Sequence, residues 1–208
     1  MADLRFDGWI AGVGSTSGVR VVVGCWPVSP YGPVADVMLE LPDGHRMLLA
    51  PTAELAEFVS QTYTFDEVCV VPVRVEPPAV PPSGRVRVVA GDLDVTLVVG
   101  RPTWLGRLLR LVPPWLAGRL WWVALVDRPA RLLVPGVRTV GSAVGGRREF
   151  YAARDNRALA LAAGSWRGTD LGRLADVVPA VRFGFASTPP RPSWTRVTTT
   201  VRVPGAPG

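Results

Sequence analysis

The segment Arg85–Val99 constrains the fold of this chain more tightly than any other stretch. Val86 and Val88 precede Ala90-Gly91, and Leu93 and Val95 follow it, so apolar residues fall at every second position on both sides of a turn signal. A period of two marks a strand with one buried face, and two such runs around a glycine make a hairpin. Turning at Ala90-Gly91 pairs Val88 with Leu93 and Val86 with Val95, and sets Arg87 against Asp94 on the other face. A slip of one residue would break both sets, so the pattern predicts its own register.

The same pattern recurs along the chain. Trp9–Val13 and Val19–Trp26 flank Gly14–Gly18. Val37–Leu41 and Arg46–Leu49 flank Pro42-Asp43-Gly44-His45, where Asp-Gly suits a turn that needs positive φ. Val68–Val75 reads as a strand, Arg147–Arg154 follows Val137–Ser142 across Gly145-Gly146, and Ala158–Trp166 is a further apolar run. Val181–Phe185 and Trp194–Val203 flank a proline-broken loop; in the latter, Val197, Thr199, Val201 and Val203 share one face. Thr52 can cap a short helix carrying the stripe Leu55, Phe58 and Val59, and Asp170–Asp176 reads as one helical turn.

About ten strands in mostly hairpin order predict a mainly β fold, an antiparallel barrel or strongly curved sheet, because such sheets leave few edges exposed. With 208 residues, 48% of them apolar, the chain can bury a sizeable core, as one large β domain or two small ones. The expected organisation is a single domain over 1–203, with a seam at 76–84 in the proline-rich Glu76–Ser83, a helical insertion at 101–135 and a disordered tail at 204–208.

The insertion stands apart in composition. Arg101–Arg138 holds seven arginines against Asp127, a net +6 that equals the charge of the whole chain, and four of the eight tryptophans. Thr103 caps a predicted helix to about Val112, ended by Pro113-Pro114, with Trp104, Leu105, Leu108 and Leu109 inward and Arg107 and Arg110 outward. A second helix runs from Pro114 to about Leu125, giving a helical pair near 103–125.

Composition also closes several chemistries. All 23 basic residues are arginine. Without lysine there is no Schiff base, no ordinary pyridoxal-phosphate site and no P-loop lysine. Gly12, Gly14 and Gly18 miss the dinucleotide fingerprint and lead into a strand, where phosphate cradling needs a helix N-terminus. No GxSxG occurs, and the only histidine, His45, falls just past a hairpin tip. Cys25 and Cys69 lie in apolar strands as free thiols without CxxC spacing, so neither metal nor cofactor is expected. No signal pattern opens the sequence, and Arg110, Arg119 and Asp127 interrupt its longest apolar run; the reading is a cytoplasmic protein.

One polar cluster invites a site: Arg138, then Arg147-Arg148-Glu149-Phe150-Tyr151 and Arg154-Asp155. Alternation points Glu149, Tyr151 and Asp155 one way and Arg148 and Arg154 the other. If the first face lines a cavity, Glu149 and Tyr151 can bind or protonate a ligand, with Arg138, Arg154 and Arg182 as companions; the plainer reading is an outer ladder of salt bridges. An enzyme here would work by acid–base chemistry on a small molecule, without metal or lysine.

Ser29–Glu40, the hairpin after it and Pro51–Phe58 resemble the acetoacetate decarboxylase-like superfamily, in which a Gly-Pro-Tyr-type turn leads into a strand, hairpin and short helix of a cone-shaped β barrel. The resemblance implies a barrel and a cavity; without the lysine that defines the decarboxylases it implies no decarboxylation. The chain as a whole is also similar to proteins of high-GC Gram-positive bacteria that carry no assigned activity.

Two roles follow. In the first, the barrel holds a small, largely apolar ligand, anionic where an arginine meets it, with 101–135 folded over one mouth as a lid. In the second, the same helices bind an anionic membrane surface at the inner face of the membrane through Trp104, Arg107, Arg110, Trp115, Arg119, Trp121 and Trp122. Nucleic-acid binding fits the net charge, but the basic window is rich in leucine and carries no recognised motif.

Overall fold

A computed structural model of the chain describes residues 2–76, 84–117, 119–125, 140–142, 146–184 and 188–203. At its centre β1 (Ala2–Ser15) lies antiparallel to β13 (Ser193–Val203). On one side β2 (Arg20–Val28), β3 (Val34–Glu40) and β4 (Arg46–Ala50) follow hairpin by hairpin. A crossover through α1 (Ala53–Ser60) then delivers β5 (Glu67–Val70) parallel to β4, since a parallel neighbour cannot be reached by a tight turn. On the other side of β13 stand β10 (Arg148–Trp166), β8 (Leu93–Pro102), β7 (Gly84–Ala90) and β6 (Val73–Glu76). Among the described residues the sheet has thirteen strands, the short β9 (Val140–Ser142) and β11 (Thr169–Asp170) pairing with β10 and β12 (Leu174–Ala175) with β1.

The fold is therefore mainly β, a mixed, curved sheet whose ladder does not close into a barrel. Its two ends, β5 and β6, are consecutive in the chain. Pro72 lies between them and has no N–H to give a ladder, which splits the expected strand Val68–Val75 in two. Val71 N–H donates to Ala50 O, so the link is tied to β4.

Two cores lie on opposite faces. Val21, Val23, Val37, Leu39, Met47 and Leu49 join Val86, Val88, Val95 and Leu97 from the far end of the ladder, so the sheet curls around this cluster and fills the curl with side chains. The alternate residues Val22, Met38 and Leu48 join Phe6, Val197 and Val201 beneath Leu55, Phe58 and Val59 of α1. Thr52 caps α1 as expected, its Oγ1 accepting from Leu55 N–H at 3.2 Å. Both faces of β2 and β3 are thus buried.

Several expectations are corrected. In the β7–β8 hairpin the turn residues are Gly91 and Asp92, so Val88 opposes Val95, Val86 opposes Leu97 and Arg87 opposes Thr96. Gly91, at φ 54°, takes the turn position that needs positive φ. A slip of two keeps every apolar side chain on its face, and Arg87 still reaches Asp94 diagonally at 2.7 Å. The expected strands Arg147–Arg154 and Ala158–Trp166 are one continuous β10. Asp170–Asp176 forms two short bridging strands in place of a helical turn, and 181–184 is not a strand although Phe183 is fully buried.

Among the described residues of the insertion, the first helix is shorter than expected and the surface is more open. It forms α2 (Trp104–Leu109), α3 (Pro114–Ala117) and α4 (120–125). Thr103 is the cap, accepting from Gly106 N–H at 3.0 Å. Trp104 and Leu108, expected inward, are exposed; Gly106 is buried against β10, where a Cβ would meet Asn156 O at 2.1 Å. Val123 of α4 packs on Phe150 and Ala152. The seam loop 77–83, residues 126–139 and the tail 204–208 lie outside the described residues; β6 and β7 on either side of the loop belong to the same sheet.

Candidate functional site

Five neighbouring strands, β3, β2, β1, β13 and β10, turn one face toward α1 and α2, and between them lies a cavity of about 160 Å³. The hollow is therefore on the outer face of the curl, because the inside of the curl is already packed. Its wall is apolar: Phe6, Val22, Met38, Leu55, Phe58 and Val197 line it, and α2 adds Leu105. Three aromatic rings stand together here, Phe6 lying 5.4 Å from Phe58 and 5.7 Å from Trp26 between centroids.

Into this wall β10 sends Glu149 and Tyr151, two residues apart on one face of the strand. Glu149 is 1% exposed. Tyr63, from the turn after α1, donates to Glu149 Oε1 at 2.8 Å, and its hydroxyl lies 2.6 Å from that of Tyr151, which reaches Glu149 Oε2 at 3.4 Å. Burial lifts the Glu149 carboxyl to about 7, opposed by the hydrogen bonds from the two tyrosines. Burial also holds both phenols well above their ordinary value.

A second acid shares the cavity. Asp36 on β3 accepts from Trp26 Nε1 at 3.0 Å and is lifted by burial to about 6. Gly24 makes this contact geometrically possible: it opposes Asp36 in the ladder, and a Cβ there would lie 2.5 Å from both Asp36 Oδ1 and Trp26 Nε1. Thr199, on the β13 face of the cavity and 5% exposed, and Thr188 have buried hydroxyl oxygens without a partner among the described residues.

The strand alternation anticipated for β10 holds through Ala153 and then changes. A bulge between Ala153 and Asp155 puts Asn156 on the cavity face and turns Asp155 out to Arg110 at 2.7 Å and Arg157 at 3.0 Å. Asn156 then anchors α2, accepting from Thr103 Oγ1 at 2.7 Å and donating to Thr195 Oγ1 at 2.8 Å. Arg147, two residues before Glu149, binds Phe58 O and Thr62 Oγ1 and sits 5.0 Å over the Phe58 ring, fastening β10 to the end of α1.

Of the other candidates, Arg154 lies 3.9 Å from Asp7 in a surface ion-pair group with Arg196. Arg182 binds Glu40 at 2.7 Å, away from the cavity. Both arginines are engaged in ion pairs, and neither lines the cavity. Arg138 lies outside the described residues. Asp36, Tyr63 and Thr199 were not anticipated. His45 is part-exposed against Glu67 at 3.2 Å, away from the cavity. Cys25 and Cys69 are free, and burial pushes the Cys25 thiol to about 11. Among the described residues no three His, Cys, Asp or Glu converge as a metal site.

The insertion presents a different surface. Trp104, Leu108, Leu111, Trp115, Trp121 and Leu125 are exposed there, beside Arg101, Arg107, Arg110 and Arg119. Trp122 is half-buried, edge-on to Trp121. Among the described residues no helix is long and apolar enough to cross a membrane. Comparison with known protein families, curated proteins and solved structures finds no match to this chain.

Proposed function

We propose that the protein binds a small, largely apolar molecule in the cavity between the sheet, α1 and α2. What carries the reading is the pair of buried acids, Glu149 and Asp36, opening onto one apolar hollow. Holding each ionised above its raised pKa costs on the order of 3 kcal/mol relative to water, which apolar side chains of similar size would not. Groups kept at such a cost, in a cavity with unpartnered hydroxyls, mark a binding site more readily than a core. The volume sets the scale of the ligand, since apolar cavities of about 150 Å³ take up benzene-sized molecules. The anionic end considered for the ligand gains no support, as no arginine lines the cavity among the described residues.

Ala153 lines the hollow from β10, so Ala153→Phe should fill it. Calorimetric titration with toluene and benzyl alcohol should show saturable binding to the native chain and none to Ala153→Phe with its circular dichroism unchanged. Absence of saturable binding to the native chain would remove the proposal.

A second reading, attachment of the insertion to an anionic membrane surface, is favoured by the exposed tryptophans and leucines among arginines with no acid between 101 and 125. Each arginine near such a surface contributes about 1 kcal/mol, and tryptophan prefers interfacial depth. Phosphatidylserine-rich vesicles should then sediment the protein at low salt, and the triple change Trp104→Ser, Trp115→Ser and Trp121→Ser should abolish it.

A further inference from the structure

We infer that the cavity is built for an organic ammonium: a small amine with an aryl or branched alkyl body, its charged nitrogen facing Glu149, Tyr63 and Tyr151. The inference rests on the cavity reading and names the chemistry of its occupant.

The first observation is a contrast within the same fold. Glu40 is as deeply buried as Glu149, and the protein neutralises it twice, with Arg182 at 2.7 Å and Arg20 at 3.2 Å. Glu149 and Asp36 receive no ion pair from any described residue, in a chain that carries 23 arginines and a net charge of +6. Arg147 is close in sequence, yet its guanidinium is committed to Phe58 O, Thr62 Oγ1 and Gln61. Among the described residues the cavity holds two acids and no arginine, in a protein of net positive charge.

The second observation is a count of protons. Tyr63 has one hydroxyl hydrogen and directs it to Glu149 Oε1; Tyr151 can direct its own to the Tyr63 oxygen or to Glu149 Oε2. Tyr63 spends its proton on the carboxylate, Tyr151 spends its own on Tyr63 or on Glu149, and neither brings positive charge. A carboxylate ligand would add a third acid to the same enclosure. A neutral alcohol would leave the charge where it was. An ammonium supplies N–H donors and the missing charge together, and the unpartnered Thr199 Oγ1 can accept from it.

The third is the wall. Phe6, Trp26, Phe58, Tyr63 and Tyr151 all line the hollow. Ring faces attract cations, and enclosures of several aromatic rings are the recurrent device for holding substituted ammonium groups.

Benzylamine, benzyl alcohol and benzoate share one ring and differ in the head group, so calorimetry on the native chain, Glu149→Gln and Asp36→Asn separates the possibilities. Benzylamine should bind the native chain at least tenfold more tightly than benzyl alcohol, and benzoate should not bind. Glu149→Gln should weaken benzylamine at least tenfold and leave benzyl alcohol within about twofold. Between pH 5 and 8 benzylamine affinity for the native chain should rise while that for benzyl alcohol stays level, a readout that does not depend on a variant folding. The groups acting on the carboxylate over that range are Tyr63, Tyr151 and Arg147, and Asp36 lines the same cavity. Equal affinity for benzylamine and benzyl alcohol, or an unchanged ratio in Glu149→Gln, overturns the ammonium and leaves the cavity reading standing. Binding of none of the three ligands overturns both.

Discussion

Glu149 and Tyr63 illustrate how much one hydroxyl can decide. The Tyr63 proton stabilises the ionised form of a carboxyl that burial disfavours, so the two effects oppose each other at the same atom. Tyr63→Phe removes the stabilising one. The Glu149 pKa should then move upward from about 7, read from the pH dependence of its side-chain carbon shift; a fall or no change would show that the hydrogen bond does not hold the carboxylate. Gly24 makes a second case. In Gly24→Ala the methyl occupies the place where Trp26 Nε1 meets Asp36, and a buried acid left without that partner costs about 1–3 kcal/mol. Chemical denaturation should register a loss of that size, and tryptophan emission should shift. Glu149 and Tyr151 could be picked out in advance because they sit at alternate positions of a polar strand. Asp36 stands out in the same way, as one acid inside the apolar run Val34–Leu39, yet that run by itself reads as an ordinary strand; that both its faces are buried emerges only when α1 folds over the second one.

At the scale of elements, the hairpin and helix signals were legible wherever they were local. The Thr52 and Thr103 caps, the α1 stripe and the faces of β7 and β8 depend on residues a few positions apart, and all were readable. What could not be read were features set by distant partners. The register of β7 against β8 slipped by two because either register keeps the same faces. The bulge at Ala153–Asp155 is a shift in register against β13, some forty residues away in the chain, and nothing in the local pattern marks it. Apolarity alone points Trp104 and Leu108 inward, whereas α2 rests on β10 through Gly106, where close approach leaves no room for a side chain. The cap that holds this helix also hydrogen-bonds Asn156, on the cavity face of β10. Thr103→Ala should cost about 1 kcal/mol and speed amide exchange in Trp104–Leu109 about fivefold while α1 is unaffected. Equal protection in both proteins would mean that α2 is held by something other than its cap.

For the molecule as a whole, the two buried acids set the direction in which stability depends on pH. Their folded-state pKa values, about 7 and about 6, lie above the ordinary 4.5 and 3.8, so between those limits the folded state holds more protons than the unfolded one. Stability must then fall as pH rises through that window, and the loss is complete above about 7. Each acid contributes at most about 3 kcal/mol to this loss, and 1 kcal/mol moves the midpoint of a chain this size by about 2–4 °C. The opposite trend comes from Asp3, Asp66 and Asp94, whose carboxyls are held below their ordinary range by Arg202, Arg46 and Arg87; their contribution is lost only as pH falls below the usual carboxylate range. The melting temperature should therefore pass through a maximum near pH 4, where the two trends cross, and decline by on the order of 10 °C toward pH 8. Calorimetry on Glu149→Gln and Asp36→Asn divides that decline: each variant should lose its own share of the slope, and the double variant should be nearly level from pH 5 to 8. A native chain that melts at one temperature across the range would mean that Glu149 and Asp36 ionise in the folded protein as readily as in the unfolded chain, so that burial does not raise them. Saturating benzylamine offers the complementary measurement, since a cation that pairs with the ionised acid should restore stability most at the alkaline end, where the uncompensated charge is greatest.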